Sequence, residues 1–250
     1  MTNALKIVAA LLLGGCCIST SLAAEQRPDG EPIDFRACNF QEGKSMKDLE
    51  NATAQFRTWA NQYDFEYAAW ILVPEFATDV QFDVGWLGAW PNGESFGLSM
   101  EKWKSPDHTL VSVFSEVIDC GTHELSMSLP VNAPESTPED GILMFYSCSL
   151  HEGKSFNDAY AGHLEWGEVM KGMGSLAISW VFQPAIGAGS DAPDYYHAVG
   201  FYRYSDLGAA MDLYANRGGL EARDRILGGV SHCETPTVFD AHSVRARDER

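Results

Sequence analysis

Cys38-Asn39-Phe40-Gln41-Glu42-Gly43-Lys44-Ser45-Met46-Lys47-Asp48 is written a second time as Cys148-Ser149-Leu150-His151-Glu152-Gly153-Lys154-Ser155-Phe156-Asn157-Asp158, with six of eleven positions identical at an offset of 110 residues. A duplication of this kind organises the whole chain, because each copy of the stretch must open one copy of a larger unit. Locally the stretch reads as the end of a strand, a turn at glycine and the start of a helix. Ser45 and Ser155 stand as N-caps with Asp48 and Asp158 three residues on. That is a capping box whose carboxylate also faces the positive end of the helix dipole.

Working outward, the first copy begins with an extended run at 33–40. After the turn, Met46, Leu49, Thr53, Phe56 and Ala60 recur at helical spacing. Aromatic and aliphatic runs at 67–74 and 81–90 predict strands, 95–104 predicts a helix, and 110–129 reads as strand. Residues 132–140 are polar and carry two prolines, which marks a linker. The second copy repeats the order: a strand at 142–150, a helix with Phe156, Tyr160, His163, Gly167 and Met170 on one stripe, and a strand at 176–184. Trp180 and Pro184 stand where Trp70 and Pro74 stood, and Val199-Gly200-Phe201 answers Val84-Gly85-Trp86. A helix at 206–216 and an extended segment containing Cys233 complete it.

The expected organisation is a leader at 1–24, a first repeat at 30–131, the linker at 132–140 and a second repeat at 141–246. Each repeat reads strand, helix, strand, strand, helix, strand, the ferredoxin-like pattern of the α+β class.

Residues 1–24 have one cation (Lys6), an apolar run at 7–13 and a small-residue exit, as an export signal does. Leu13-Gly14-Gly15-Cys16 offers a rival processing site at which Cys16 would carry a lipid anchor. The expected location is periplasmic or secreted, with a lipoprotein as the alternative. Four cysteines remain beyond the leader, two per repeat. The duplication selects Cys38 with Cys120 and Cys148 with Cys233 as disulfides, and no Cys-x-x-Cys pair suggests zinc. In the ferredoxin-like order the first and last strands are neighbours, which brings each of these pairs within bridging distance.

The formal charge of -18 becomes -19 once the leader, with one lysine and no acid, is removed. Nucleic acid and anionic membranes need a basic footprint, so neither is an expected partner. No later segment approaches the roughly 20 apolar residues of a membrane helix. Gly43-Lys44-Ser45 and Gly153-Lys154-Ser155 are not phosphate loops, because the leading glycine of that motif would fall on Cys38 and Cys148. There is no His-Glu-x-x-His metal spacing and no Gly-x-Ser-x-Gly elbow.

Two ferredoxin-like units with aromatic-rich strands resemble the dimeric α/β-barrel superfamily, in which two such sheets pack face to face, here fused in one chain as a monomer with an internal pseudo-dimer. The Cys-x-x-x-Glu-Gly-Lys-Ser element resembles uncharacterised exported proteins of marine bacteria that carry a Cys-x-x-x-x-Gly-Lys-Thr/Ser start. The superfamily contains cofactor-free monooxygenases, haem-degrading enzymes, haem peroxidases and isomerases, so the resemblance admits haem without requiring a cofactor, and the fold does not choose among them.

Five of the seven histidines lie in the second copy. His163 sits on the apolar stripe where the first copy has Thr53, which makes it the candidate acid, base or ligand as well as a candidate core group. Trp166, Trp180 and His197 are candidate ligand-binding residues, with Glu152 and Lys154 as a polar rim. The expected function is the binding of a small apolar or aromatic molecule between helix and sheet, with oxygenation or haem-linked chemistry implied by the resemblance. The alternative is a non-catalytic interaction module of the periplasm or cell envelope.

Overall fold

The computed structural model describes residues 27–247 apart from 79, 135, 137 and 138. The expected leader and the lipid site at Cys16 lie outside these residues. The first repeat contains β1 (Glu31–Phe40), α1 (Met46–Gln62), β2 (Ala68–Phe76), β3 (Val84–Ala89), α2 (Gly93–Lys104), α3 (Leu110–Ser115) and β4 (Ile118–Asn132). The second contains β5 (Gly141–Leu150), α4 (Phe156–Gly172), β6 (Ile178–Ile186), β7 (Tyr195–Phe201), α5 (Tyr204–Asn216), α6 (Gly219–Leu227), β8 (Ser231–Cys233) and β9 (Thr237–Arg245).

The duplicated stretch does what its residues predict. Gly43 and Gly153 both take φ of 75°, a left-handed turn that a side chain would disfavour. Both helices then open on the same box: the Ser45 backbone N–H donates to Asp48 at 3.0 Å and that of Ser155 to Asp158 at 2.8 Å. The serine hydroxyl bonds hold both carboxyls below the usual aspartate range.

The strands of the first repeat lie in the order β4-β1-β3-β2 and those of the second in the order β9-β5-β7-β6. The two sheets are joined along both edges, β2 to β9 and β4 to β6, and every pairing is antiparallel. Eight strands therefore close into a barrel that leaves no long edge unpaired, with helices outside. The tandem ferredoxin-like expectation holds, and edge pairing turns two packed sheets into one continuous wall.

Three sequence expectations are corrected. Leu110–Ser115 is a helix, not the start of a strand; its Val and Phe residues suit either state, and packing of Leu110 and Phe114 onto the first core decides it. Helix α6 is an addition that the sequence reading does not contain. Third, Val199-Gly200-Phe201 is not the counterpart of Val84-Gly85-Trp86. Cys38 pairs with Val84 and Cys148 with Tyr195, so Tyr195 takes the place of Val84 and His197 that of Trp86. The similar tripeptides sit four residues out of register.

Both expected disulfides are present, each between registered partners on neighbouring strands. In the first repeat a single 15-residue β4 carries Cys120 and also pairs with the other sheet. In the second repeat the job is divided: β8 carries Cys233, and β9 closes the barrel against β2. Disulfides belong to an oxidising, extracytoplasmic setting. Among the described residues no helix is long and apolar enough to cross a membrane.

Alternation along the strands sorts the core into layers. Ile33, Leu72, Leu87, Leu143, Phe182, Ala198 and Phe239 point into the barrel, while Trp86, Val84 and Ile71 face α1–α3 and Tyr195, Val199 and Ile142 face α4–α6. On the first repeat's helix side Asp34 is fully buried, held by His123 at 2.9 Å and Arg36 at 3.1 Å. Trp86 Nε1 donates to the Tyr67 hydroxyl at 2.7 Å beside it. Gly88 lies over this group, and a Cβ there would collide with the Tyr67 hydroxyl and Asp34 Oδ1. Gly88→Ala is therefore expected to lower stability by about 1 to 3 kcal/mol through overpacking. Urea unfolding would show an earlier midpoint at unchanged slope.

Candidate functional site

Helix α4 buries Phe156, Ala159, Tyr160, Gly162 and His163 against the second sheet. His163 is only 1% exposed. One face of β7 presents Tyr195 and His197 to it, because residues two apart on a strand share a face. The His163 and His197 rings lie 4.2 Å apart, centroid to centroid, with Trp166 5.7 Å from His197 and Tyr146 stacked on His197 at 5.6 Å.

A hydrogen-bond chain runs away from this pair. His163 Nε2 lies 3.1 Å from the Tyr195 hydroxyl, which lies 2.6 Å from Ser231 Oγ on β8 and 3.8 Å from Cys233 Sγ. The disulfide on β8 thus fixes the far end of the chain that orients His163. Two polar atoms are left buried without a partner, His163 Nδ1 and Trp166 Nε1. An unpaired buried donor or acceptor costs about 1 to 3 kcal/mol, so such atoms are rare unless something else meets them.

Both residues line a cavity of about 350 Å³ between α4, α5 and the sheet. Met144, Val199, Phe201, Leu207 and Ala210 make it apolar, and Lys171 and Arg223 stand among its polar lining. The volume falls at the small end of the roughly 300–1,000 Å³ typical of small-molecule sites.

Burial sets the protonation states. It pulls His163 down to about 3, with the nearby Arg223 guanidinium acting in the same direction. Burial likewise takes His197 well below its ordinary value, helped by His163 and Arg223. Both imidazoles are neutral at physiological pH. Burial also raises Tyr195, and pushes Tyr146 up to about 12. A base with a pKa near 3 is a poor proton acceptor at neutral pH, whereas a neutral imidazole is a good hydrogen-bonding or ligating group.

The structure thus brings together His163, Trp166 and His197. It separates the other candidates from them. Trp180 lies on the opposite face of β6, inside the barrel, because its neighbours Ser179 and Val181 face the helices. There Trp180 and Trp70 line a different cavity of about 1060 Å³ that opens at one end of the barrel. Glu152 and Lys154 are exposed in the turn before α4 and line neither cavity. Sequence reading missed Tyr195 and Tyr146, although period-two alternation from His197 would have found the first. Arg223 could not be found while α6 was unread.

No protein-family model matches the sequence, and no curated protein is similar to it in sequence. Solved structures are similar in fold. A heme-binding protein from Thermus thermophilus aligns with a TM-score of 0.51 at 11% identity, covering 86% of this chain and 92% of that one. Chlorite dismutase from Candidatus Nitrospira defluvii, in complex with imidazole, aligns at 0.51 with 9% identity over 85% and 91%. An anthrone oxidase-like protein aligns at 0.51 with 13% identity over 88% and 95%. The fold shared with these structures is an α/β barrel of two ferredoxin-like halves, here in one chain.

Haem is the group this fold brings into question. In its favour, His163 has one ring nitrogen held by Tyr195 and the other without a partner, so His163 would be the residue to hold a haem iron. Space argues the other way: the roughly 350 Å³ left free between the rings of His163, His197, Trp166 and Tyr214 suits a molecule of one or two rings better than a macrocycle. Among the described residues no group of three or more His, Cys, Asp or Glu side chains is placed to hold a metal ion.

Proposed function

We propose that this is an exported protein that binds a small apolar or aromatic molecule carrying a polar group in the α4–sheet cavity of its second repeat. It acts as a monomer with an internal pseudo-dimer, in the periplasm or beyond it. The observation that carries the reading is that two residues lining one apolar cavity, His163 and Trp166, each hold a buried polar atom without a partner, Nδ1 and Nε1. A ligand hydroxyl or carbonyl would satisfy both while its ring displaces water from the apolar lining. His163, His197 and Trp166 bind and orient that group, and the Tyr195–Ser231 chain keeps the His163 ring in place. The cavity also favours this reading over an interaction module, which would need no interior space.

Calorimetric titration with 2-naphthol tests it. Binding to the wild-type protein is expected, weakened about tenfold in His163→Leu and several-fold in Trp166→Phe, as loss of one buried hydrogen bond each would give. Equal affinity in all three proteins would sink the assignment. Titration with hemin separates the rival: a Soret band lost in His163→Ala would replace this reading with haem ligation.

A further inference from the structure

The first repeat has a cavity in the matching place, between β1, β3 and the helices α1–α3, with a volume of about 280 Å³. Its chemistry differs from that of the second. Thr53 stands where His163 stands, and Trp86 replaces His197 in the strand register. No histidine lines it. The walls are instead four tryptophans, Trp59, Trp86, Trp90 and Trp103, with Phe56 and Phe114. Their rings meet edge to face: Phe56 and Trp86 at 5.6 Å and 87°, Trp86 and Phe114 at 5.6 Å and 89°. A pocket so built offers ring faces and edges to one more flat ring.

Three further observations narrow the class. Trp59 and Trp90, both in the lining, are 8% and 3% exposed, and the indole N–H of each is buried without a partner, so an acceptor that reached them would satisfy two donors. Arg36 also lines it; its Nε bonds Asp34, and among the described residues its guanidinium makes no other hydrogen bond. Finally, the charged residues of the lining are Arg36, Lys104 and Asp119, so two cations stand at this cavity in a chain whose formal charge is -18. Donors, a planar guanidinium and an aromatic wall together select a planar anion, and arginine is the side chain suited to grip a carboxylate by two bonds.

We propose that the first repeat carries a second ligand site, for an aromatic carboxylate or a similar flat anion, read by Arg36 and by the N–H groups of Trp59 and Trp90. The duplicated scaffold then holds two pockets of different character, a tryptophan-walled pocket with an arginine in the first half and a histidine pocket in the second. This inference does not rest on the second-repeat reading, since it uses none of its residues.

Calorimetric titration of the mature protein with 1-naphthoate, against 1-naphthalenemethanol as the neutral analogue of similar shape, is the test. Naphthoate is expected to bind about tenfold more tightly than the alcohol, because a charge-assisted hydrogen bond is the difference between them. Arg36→Gln is expected to erase that preference. Since Arg36 also holds Asp34, Trp59→Phe and Trp90→Phe provide variants that keep an aromatic ring and remove the donor; each is expected to lower the urea midpoint through the smaller ring and, while folded, to weaken naphthoate several-fold and more than it weakens the alcohol. His163→Leu is expected to leave this affinity as it is. Absence of naphthoate binding, equal binding of the alcohol, or loss of binding in His163→Leu with retention in Trp59→Phe and Trp90→Phe would each overturn the proposal.

Discussion

Replacing Cys148 and Cys233 together by alanine is expected to lower the unfolding free energy by about 4 to 5 kcal/mol, from the chain-entropy cost of closing a loop of this length. The two residues are 85 positions apart, so the bridge removes many conformations from the unfolded chain. A local effect adds to this. Strand β8 is only three residues long and has three registered pairs with β5, one of them the cysteine pair itself. Without the bridge β8 is expected to fray, and Ser231 would leave Tyr195, loosening the chain that orients His163. The Cys38–Cys120 bridge closes a loop of similar span, 82 positions, yet Cys120 lies within a 15-residue strand paired with β1 along much of its length. Cys38→Ala with Cys120→Ala should cost similar stability while leaving ligand binding at the second cavity unchanged. Guanidinium unfolding of both double variants, with 2-naphthol titration of each, checks the pair. A loss below about 1 kcal/mol for the β8 bridge, or equal ligand affinity in the two variants, would contradict the expectation.

Acid is expected to destabilise the protein through His163 more than through any exposed histidine. In the unfolded chain this side chain takes up a proton near pH 6.5; in the folded protein burial and Arg223 delay that to about 3. Between those values the unfolded state binds more protons, so stability is complete above about pH 6.5 and falls as the pH drops toward 3. At about 1.4 kcal/mol for each pH unit between the two values, the full loss is of the order of 4 to 5 kcal/mol. His197, also held well below its ordinary value, acts in the same direction. His163→Leu removes one proton-binding group and is expected to flatten stability between about pH 6.5 and 4. Urea unfolding of the wild type and this variant across that pH range measures the effect. A wild-type stability that does not change over that range, or an identical slope in His163→Leu, would contradict the assignment.

The eleven-residue repeat is enough to establish the duplication, the paired disulfides, the glycine turns and the capping boxes, and through them the tandem ferredoxin-like order. These features are legible because each is local or is enforced twice. A box needs two residues three apart, and a cross-strand cysteine pair follows once the first and last strands of a unit are known to be neighbours. His163 is visible for a related reason: two copies of one helix stripe disagree there, Thr53 against His163.

What the sequence could not supply was the face and partner of each remaining candidate. Trp180 and His163 lie in the same repeat, yet alternation along β6 sends Trp180 into the barrel and leaves its neighbour Ser179 facing the helices. Val199-Gly200-Phe201 resembles Val84-Gly85-Trp86 but is displaced by four residues, since hydrogen-bond register and not residue likeness decides which side chains stand opposite the cysteines. Closure of the barrel likewise required the second repeat to divide its last strand, so that β8 could keep the disulfide while β9 reached β2. The chain by itself determined that there are two units and how each begins. Only the tertiary structure decided which residues meet, because strand alternation and sheet closure are set by contacts between segments far apart in the chain, as where β2 pairs with β9.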